Sequence, residues 1–319
     1  MNRIDKGITD CIGQTPVVRL EIPEYSDFNV YAKLEGYNPT GSVKDRAADY
    51  VLSTLLSKKL VNSETKIIES SSGNFAISLA VFCKKYGLDF TCVIDPNISF
   101  ENERILENLD VNIVKVEQRD KNGGYLLSRI EYVKSFLNNI HNSYWVNQYA
   151  NPLIVDAYCN TLGNEISNEF NSIDYIFAGV SSGGTIAGVS RSIKKYMPYV
   201  KVIAVDVEGS VVFGGSARKR LIPGIGSSMK PDNLKYAQID DVITITEIDT
   251  VRECHELLKQ NSLLVGGSSG SVISGIKKYI DCRNIEKQSN ILAIFPDRGD
   301  RYCSTIYNEK WCHLNYIGF

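Results

Sequence analysis

Histidine is scarce in this chain. The three histidines in 319 residues, His141, His255 and His313, stand beside no other metal-binding side chain, which argues against a metal enzyme. The eight cysteines (Cys11, Cys83, Cys92, Cys159, Cys254, Cys282, Cys303 and Cys312) include no C-x-x-C pair. They read as reduced cytosolic thiols, mostly core filler, and not as a disulfide framework or zinc site. No run approaches the roughly 20 apolar residues of a membrane-spanning helix, and "MNRIDKGITDCIG" lacks the apolar core of a secretory leader. A formal net charge of −2 without charge blocks gives no sign of nucleic-acid binding. The Walker pattern G-x-x-x-x-G-K-[ST] and the dinucleotide pattern G-x-G-x-x-G are both missing. What remains is a soluble, cytoplasmic globular chain, 43% hydrophobic and 23% charged, and long enough for two lobes.

Short β-branched runs alternate with longer segments of helical period. The runs are "NVYAKLE", "KIIE", "FTCVID", "VNIVKV", "DYIFAGV", "KVIAVDV", "DVITIT" and "ILAIFP". Between them lie "NFAISLAVFCKKYG", "GGYLLSRIEYVKSFLNNI" and "GGTIAGVSRSIKKYM". This alternation predicts an α/β protein with mostly parallel sheets flanked by helices. So many strands exceed one comfortable sheet, which favours two lobes. Ligands in such folds sit where strands end and helices begin.

The polar turns at those places carry the chemistry. In "NPTGSVKDRAA", Ser42 and Asp45 have capping-box spacing, so a helix is predicted from Val43. Lys44 then lies where the positive end of the helix dipole disfavours a cation. It is either a surface lysine reaching for water or an amine meant to be uncharged. Three more turns, "SSSGN" (Ser70–Asn74), "SSGGT" (Ser181–Thr185) and "GGSSG" (Gly266–Gly270), each follow an apolar strand-like run and precede a helix. Each alone is a capped helix start; together they favour a shared anionic ligand held by backbone N–H groups and hydroxyls. "GVSSGG" and "GGSSGS" also satisfy G-x-S-x-G, but a serine hydrolase would need a later histidine, and only His313 follows Ser268. A non-catalytic amino-acid binding protein would explain the cradles and leave Lys44 without a purpose.

The ordered set "IGQTPVVRL", "NPTGSVKDRAA", "SSSGN", "NQYANP", "SSGGT", "PGIGSS", "GGSSGS" and "PDRGDRY" spans nearly the whole chain. It resembles the fold type II pyridoxal-phosphate enzymes, the cysteine synthase and cystathionine β-synthase family with its two-lobed, tryptophan synthase β-like fold. Within that family the likeness is closest to the N-(2-amino-2-carboxyethyl)-L-glutamate synthases of staphyloferrin B siderophore biosynthesis. "NGGYLLSRI", "SYWVNQYAN", "VDVEGSVVFGG", "IPGIGSS" and "FPDRGDRY" carry that likeness, and Phe75 stands where cysteine synthases commonly have threonine.

The resemblance implies that Lys44 forms the Schiff base with pyridoxal 5′-phosphate and then serves as general base. It implies that Ser181, Ser182, Gly183, Gly184 and Thr185 hold the cofactor phosphate, Asn74 its ring hydroxyl and Ser268 its pyridine nitrogen. A neutral serine hydroxyl there, unlike a carboxylate, does not enforce a protonated ring, which suits β-elimination to an aminoacrylate. Ser71, Ser72 and Gln148 are implied for the substrate carboxylate, and Arg129, Tyr149 and Ser181 for the amino-acid substrates. Arg129 also reads as a solvated helix face, and Tyr149 as a packed aromatic. "ARKR" (217–220) reads as a surface loop or an attractor for an anionic leaving group, and Asp232 as a turn residue or a base. The implied reaction is β-replacement, O-phospho-L-serine plus L-glutamate giving N-(2-amino-2-carboxyethyl)-L-glutamate and phosphate. The alternatives are cysteine synthase, cystathionine β-synthase or a sulfide-releasing cysteine lyase. A homodimer is expected, with a large lobe from 1–42 and 146–319 and a small mobile lobe from 43–145.

Overall fold

The computed structural model describes residues 7–120 and 123–318; the start of the segment inspected for a leader lies outside them. Among these residues two sheets form. The larger has six strands in the order β1-β2-β10-β7-β8-β9. These are β1 (Val17–Arg19), β2 (Asn29–Leu34), β7 (Tyr175–Gly179), β8 (Lys201–Val207), β9 (Asp241–Ile245) and β10 (Asn290–Phe295). The smaller is wholly parallel, in the order β5-β4-β3-β6, from β3 (Lys66–Ser70), β4 (Asp89–Ile94), β5 (Asn112–Lys115) and β6 (Ser143–Trp145). Only β1 with β2 is antiparallel in the larger sheet. The eight apolar runs read from the sequence are all strands. The two missed, β1 and β6, have three residues each, too few to show a period.

The central strands are continuously apolar because helices cover both faces. β10 buries Ile291 to Phe295, and β8 buries Val202 to Val207. The packed helices include α1 (Lys44–Ser57), α2 (Asn74–Lys85), α3 (Phe100–Asn108), α4 (Leu126–Asn139) and α5 (Pro152–Tyr158). They continue with α6 (Asn164–Glu169), α7 (Gly184–Tyr196), α8 (Glu247–Asn261), α9 (Gly267–Cys282) and α10 (Glu309–Asn315). Cys83, Cys92, Cys254 and Cys312 are buried, and Cys11, Cys282 and Cys303 are exposed. No described helix is long and apolar enough to cross a membrane.

Two local expectations are corrected. The helix predicted from Val43 starts at Lys44, and Ser42 and Asp45 form no capping box. Ser42 Oγ accepts from the Lys44 N–H at 3.3 Å. Asp45 turns instead to Thr40, whose N–H it accepts at 2.7 Å, and to Ser78 Oγ at 2.6 Å. The apolar run before "GGSSG" is no strand and makes only an isolated bridge, Val265 with Arg298.

A buried ionic network anchors the start of α1. Arg46 grips Glu35 from Nε at 2.6 Å and from Nη2 at 2.8 Å, and Glu165 from Nη1 at 2.6 Å. Lys33 on β2 holds Glu169 at 2.7 Å and Glu165 at 3.2 Å. Arg46, Lys33 and Glu35 are fully enclosed, so the Arg46–Glu35 pair is little screened by solvent, while Glu165 and Glu169 keep some exposure. They tie α1, and hence Lys44, to β2 and α6.

Candidate active site

The amino ends of α1 and α7 and the carboxyl ends of β7 and β10 border one cleft, and the starts of α2 and α9 join the end of β10 through Asp297. Lys44, the first residue of α1, lines it with Ser181, Ser182, Gly183, Thr185, Gly224 and Pro296. Its Nζ lies 5.9 Å from the centre of the Tyr158 ring. Desolvation pushes the Lys44 amine down from 10.5 to about 8, against the opposing pull of Asp297. The free amine at pH 7 is thereby enriched over that of an ordinary lysine.

The turn from Ser181 to Gly183 leads into α7, which has no side-chain cap, so its first N–H groups lack acceptors within the helix. Gly183 has φ 77°, and a Cβ there would lie 3.1 Å from Leu234 and 3.3 Å from Pro231. Uncapped amides beside Ser181, Ser182 and Thr185 suit a phosphate. On α2, Asn74 donates from Nδ2 to Asp297 at 2.7 Å and accepts from Arg301. Ser268, in the first turn of α9, faces Asp297 Oδ1 at 3.5 Å. An enclosed amine, an anion cradle and polar atoms for a heteroaromatic ring fit pyridoxal phosphate.

A second group of residues belongs to the smaller sheet. Ser71 is buried after β3, with Ser72 half-buried beside it. Gln148 donates to the Ser70 carbonyl at 3.1 Å, and its own N–H reaches Glu69 at 3.2 Å. Glu69 is fully buried and also accepts from the Ser70 N–H and the Trp145 indole. Arg129 is buried, which removes the solvated-face reading. It pairs with Asp95 at 3.2 Å, yet its Nε and Nη1 make no hydrogen bond. Tyr149 is half-buried, and burial raises its hydroxyl pKa.

Several residues with a place here escaped the sequence reading. Asn233 donates from Nδ2 to the carbonyls of Gln148 at 2.7 Å and Ser182 at 3.1 Å, joining the two groups. Its neighbour Asp232, the residue singled out in that turn, is exposed. In "ARKR" only Arg220 is partly buried, donating to the Ile225 carbonyl and Ser228 Oγ at 3.1 Å each. Asp297, Arg301 and Tyr302 lie in "PDRGDRY", which was noted as a motif without a role. An aspartate beside a strand-ending proline was the available signal.

Residues 8–297 match the family described as pyridoxal-phosphate dependent enzyme. The chain belongs to that family, and its fold is that of the cysteine synthase-type β-replacement enzymes. It is similar to an O-acetylserine-dependent cystathionine β-synthase from Helicobacter pylori, with 34% identity, coverage of 97% of this chain and 100% of that one, and a TM-score of 0.87. It is also similar to O-acetylserine sulfhydrylase isoform 3 from Entamoeba histolytica, with 28% identity, coverage of 96% and 92%, and a TM-score of 0.86. An O-ureido-L-serine synthase shares 26% identity, with coverage of 98% and 96% and a TM-score of 0.84.

The enclosed lysine has a kinetic consequence. Capture of added pyridoxal phosphate by cofactor-free protein should accelerate with pH up to about 8 and then level off. An uptake rate followed by visible absorbance that still climbs toward pH 10 would show an ordinary, solvated amine.

Proposed function

We propose that this enzyme joins O-phospho-L-serine to L-glutamate, releasing phosphate and forming N-(2-amino-2-carboxyethyl)-L-glutamate, a precursor for siderophore assembly. The observation that carries this reading is Arg129, a buried guanidinium that pairs with Asp95 through Nε at 3.2 Å and whose Nη1 has no hydrogen-bond partner. Such a group gains most from an anionic substrate that accepts from it. Tyr149 and Ser181 complete the substrate contacts in this reading, and Ser71, Ser72 and Gln148 take the α-carboxylate.

Pyridoxal phosphate, when bound, supplies the electron-withdrawing system that acidifies the α-carbon and lets the β-substituent leave. Lys44 Nζ, free of solvent, accepts the α-proton as general base. The amides and hydroxyls of 181–185 anchor the phosphate, while Asn74 and Ser268 orient the ring. Asn233, by tying Gln148 to Ser182, keeps the carboxylate site in register with the phosphate cradle. The lobe boundary falls between the two sheets in this reading, with 43–145 as the mobile lobe over 1–42 and 146–319. The enzyme works as a cytoplasmic homodimer.

Sulfur chemistry is the second reading, favoured by the 34% identity to a cystathionine β-synthase. A donor panel separates them. Purified enzyme should release inorganic phosphate from O-phospho-L-serine when glutamate is added, and Arg129→Lys should raise KM for the phosphorylated donor about 10- to 100-fold. Turnover only with O-acetyl-L-serine or cysteine, or only with sulfide as acceptor, would overturn the siderophore-precursor assignment.

A further inference from the structure

We infer that Glu69 is a positioning residue of the substrate site that makes substrate binding pH-sensitive: its carboxylate pins the 147–148 turn to the end of β3, and protonation releases that turn. The inference rests on the reading that Gln148 and Ser71 receive the substrate α-carboxylate.

Glu69 lies in β3 and is fully buried. Its hydrogen-bond partners among the described residues are all neutral N–H groups. Oε1 accepts from the Ser70 N–H at 2.8 Å and the Trp145 indole at 3.2 Å. Oε2 accepts from the Gln148 N–H at 3.2 Å, and the Asn147 N–H also donates to the carboxylate. Ser70 and Trp145 end β3 and β6, which the sheet holds side by side through Ile68 and Trp145. Asn147 and Gln148 belong instead to a turn. Asn147 has φ 54°, a left-handed conformation that few side chains adopt without support. The carboxylate therefore bridges a fixed sheet end and a turn that depends on its contacts. The turn carries Gln148, whose side chain donates to the Ser70 carbonyl and whose own carbonyl accepts from Asn233.

An ionised carboxylate only accepts, so four N–H donors suit it. A neutral carboxyl has a proton to place, and here that proton must face one of those N–H groups. The sheet ends cannot retreat, so the turn gives way. Burial pushes the Glu69 pKa up to about 7, against the downward pull of the four hydrogen bonds. The other titratable groups that feel its charge are Cys92 of β4 and Tyr149 beside the turn, and burial raises both, so neither ionises near neutrality. Arg129 of α4, paired with Asp95, faces Cys92 and Tyr149 in turn, and Arg220 faces Tyr149. The N–H dipoles offset the Glu69 charge, which limits its repulsion of a substrate carboxylate in front of the turn.

The test is L-serine binding to the pyridoxal-phosphate-loaded enzyme, read from its visible spectrum between pH 6 and 8. Serine has no side-chain group titrating near pH 7, and titration of its amine is common to wild type and variant. Glu69→Gln, which puts an amide donor among the N–H groups, should bind serine about 10-fold more weakly than wild type at pH 8. The ratio should shrink toward parity at pH 6, where wild type has lost its carboxylate. Equal affinities at pH 8, or a ratio that does not change with pH, overturn the inference. Infrared difference spectra of wild type should gain the carbonyl band of a protonated carboxyl as pH falls through about 7, a band missing in Glu69→Gln. Should the variant not fold, that wild-type band decides. Its absence, or a midpoint apart from the break in the serine profile, counts against the inference, and a shared midpoint supports it. Serine that changes no spectrum at any pH defeats the substrate-site reading instead. The infrared band still reports Glu69 in that case, which keeps the two failures distinct.

Discussion

Lys44→Ala should abolish the visible absorption of the cofactor-loaded enzyme and lower turnover by about 10⁴-fold or more, since in the proposed mechanism Lys44 supplies both the amine that captures the aldehyde and the general base. Position supports so large an effect: Lys44 opens α1 and lines the cleft with the 181–185 turn. The substitution carries a second signature. Burial lowers the Lys44 pKa to about 8, so between pH 8 and 10.5 the unfolded chain binds a proton that the folded chain has lost. Stability therefore rises with pH across that window, and the cost of enclosing the cation is fully present below pH 8. Cofactor-free Lys44→Ala should consequently resist denaturant at least as well as wild type at pH 7. Retained colour together with turnover would remove Lys44 from the chemistry, and a strongly destabilised variant would contradict the burial argument.

Arg46→Met should cost roughly 3–5 kcal/mol in denaturant unfolding of the cofactor-free protein. The methionine fills much of the same volume but leaves Glu35, fully buried, without its cation. Thr15 Oγ1 at 2.6 Å and Asn38 Nδ2 at 2.9 Å still donate to Glu35, but neither neutralises it. Arg46→Lys should be nearly as harmful, because an ammonium cannot reproduce the forked contacts to Glu35 and Glu165. Glu165 adds acid sensitivity. Burial would raise its pKa, but hydrogen bonds and charge from Arg46 hold it down to about 2. Its contribution is present above the ordinary carboxylate range and is lost as pH falls toward 2; Arg46→Met should weaken that dependence, leaving the part that Lys33 supplies. A loss below about 1 kcal/mol would mean that the network is energetically idle, as exposed pairs often are.

The amino-acid order determined the elements and the cofactor class. β10 declares itself by a continuous apolar run, β8 by one broken only at Asp206, and α7 by its helical period after two glycines. Lys44 and Gly183 drew attention because each sits in a turn whose small residues and hydroxyls mark a helix start, whereas Ser268 was singled out over Ser269 only by the family resemblance. Such signals are local: they depend on a few neighbours along the chain. Tertiary structure alone decided which polar groups meet. Asp297 and Asn74 are 223 positions apart, and Arg301 and Asn74 are 227. Arg129 looked equally like a solvated face, and only the packing of α4 over the smaller sheet showed it buried. Asp232 and Asn233 were indistinguishable in the sequence until the fold turned one to solvent and the other between Gln148 and Ser182. Periodicity and turn chemistry are short-range and can be read along the chain. Desolvation and hydrogen-bond partnership depend on what distant segments bring to the same place.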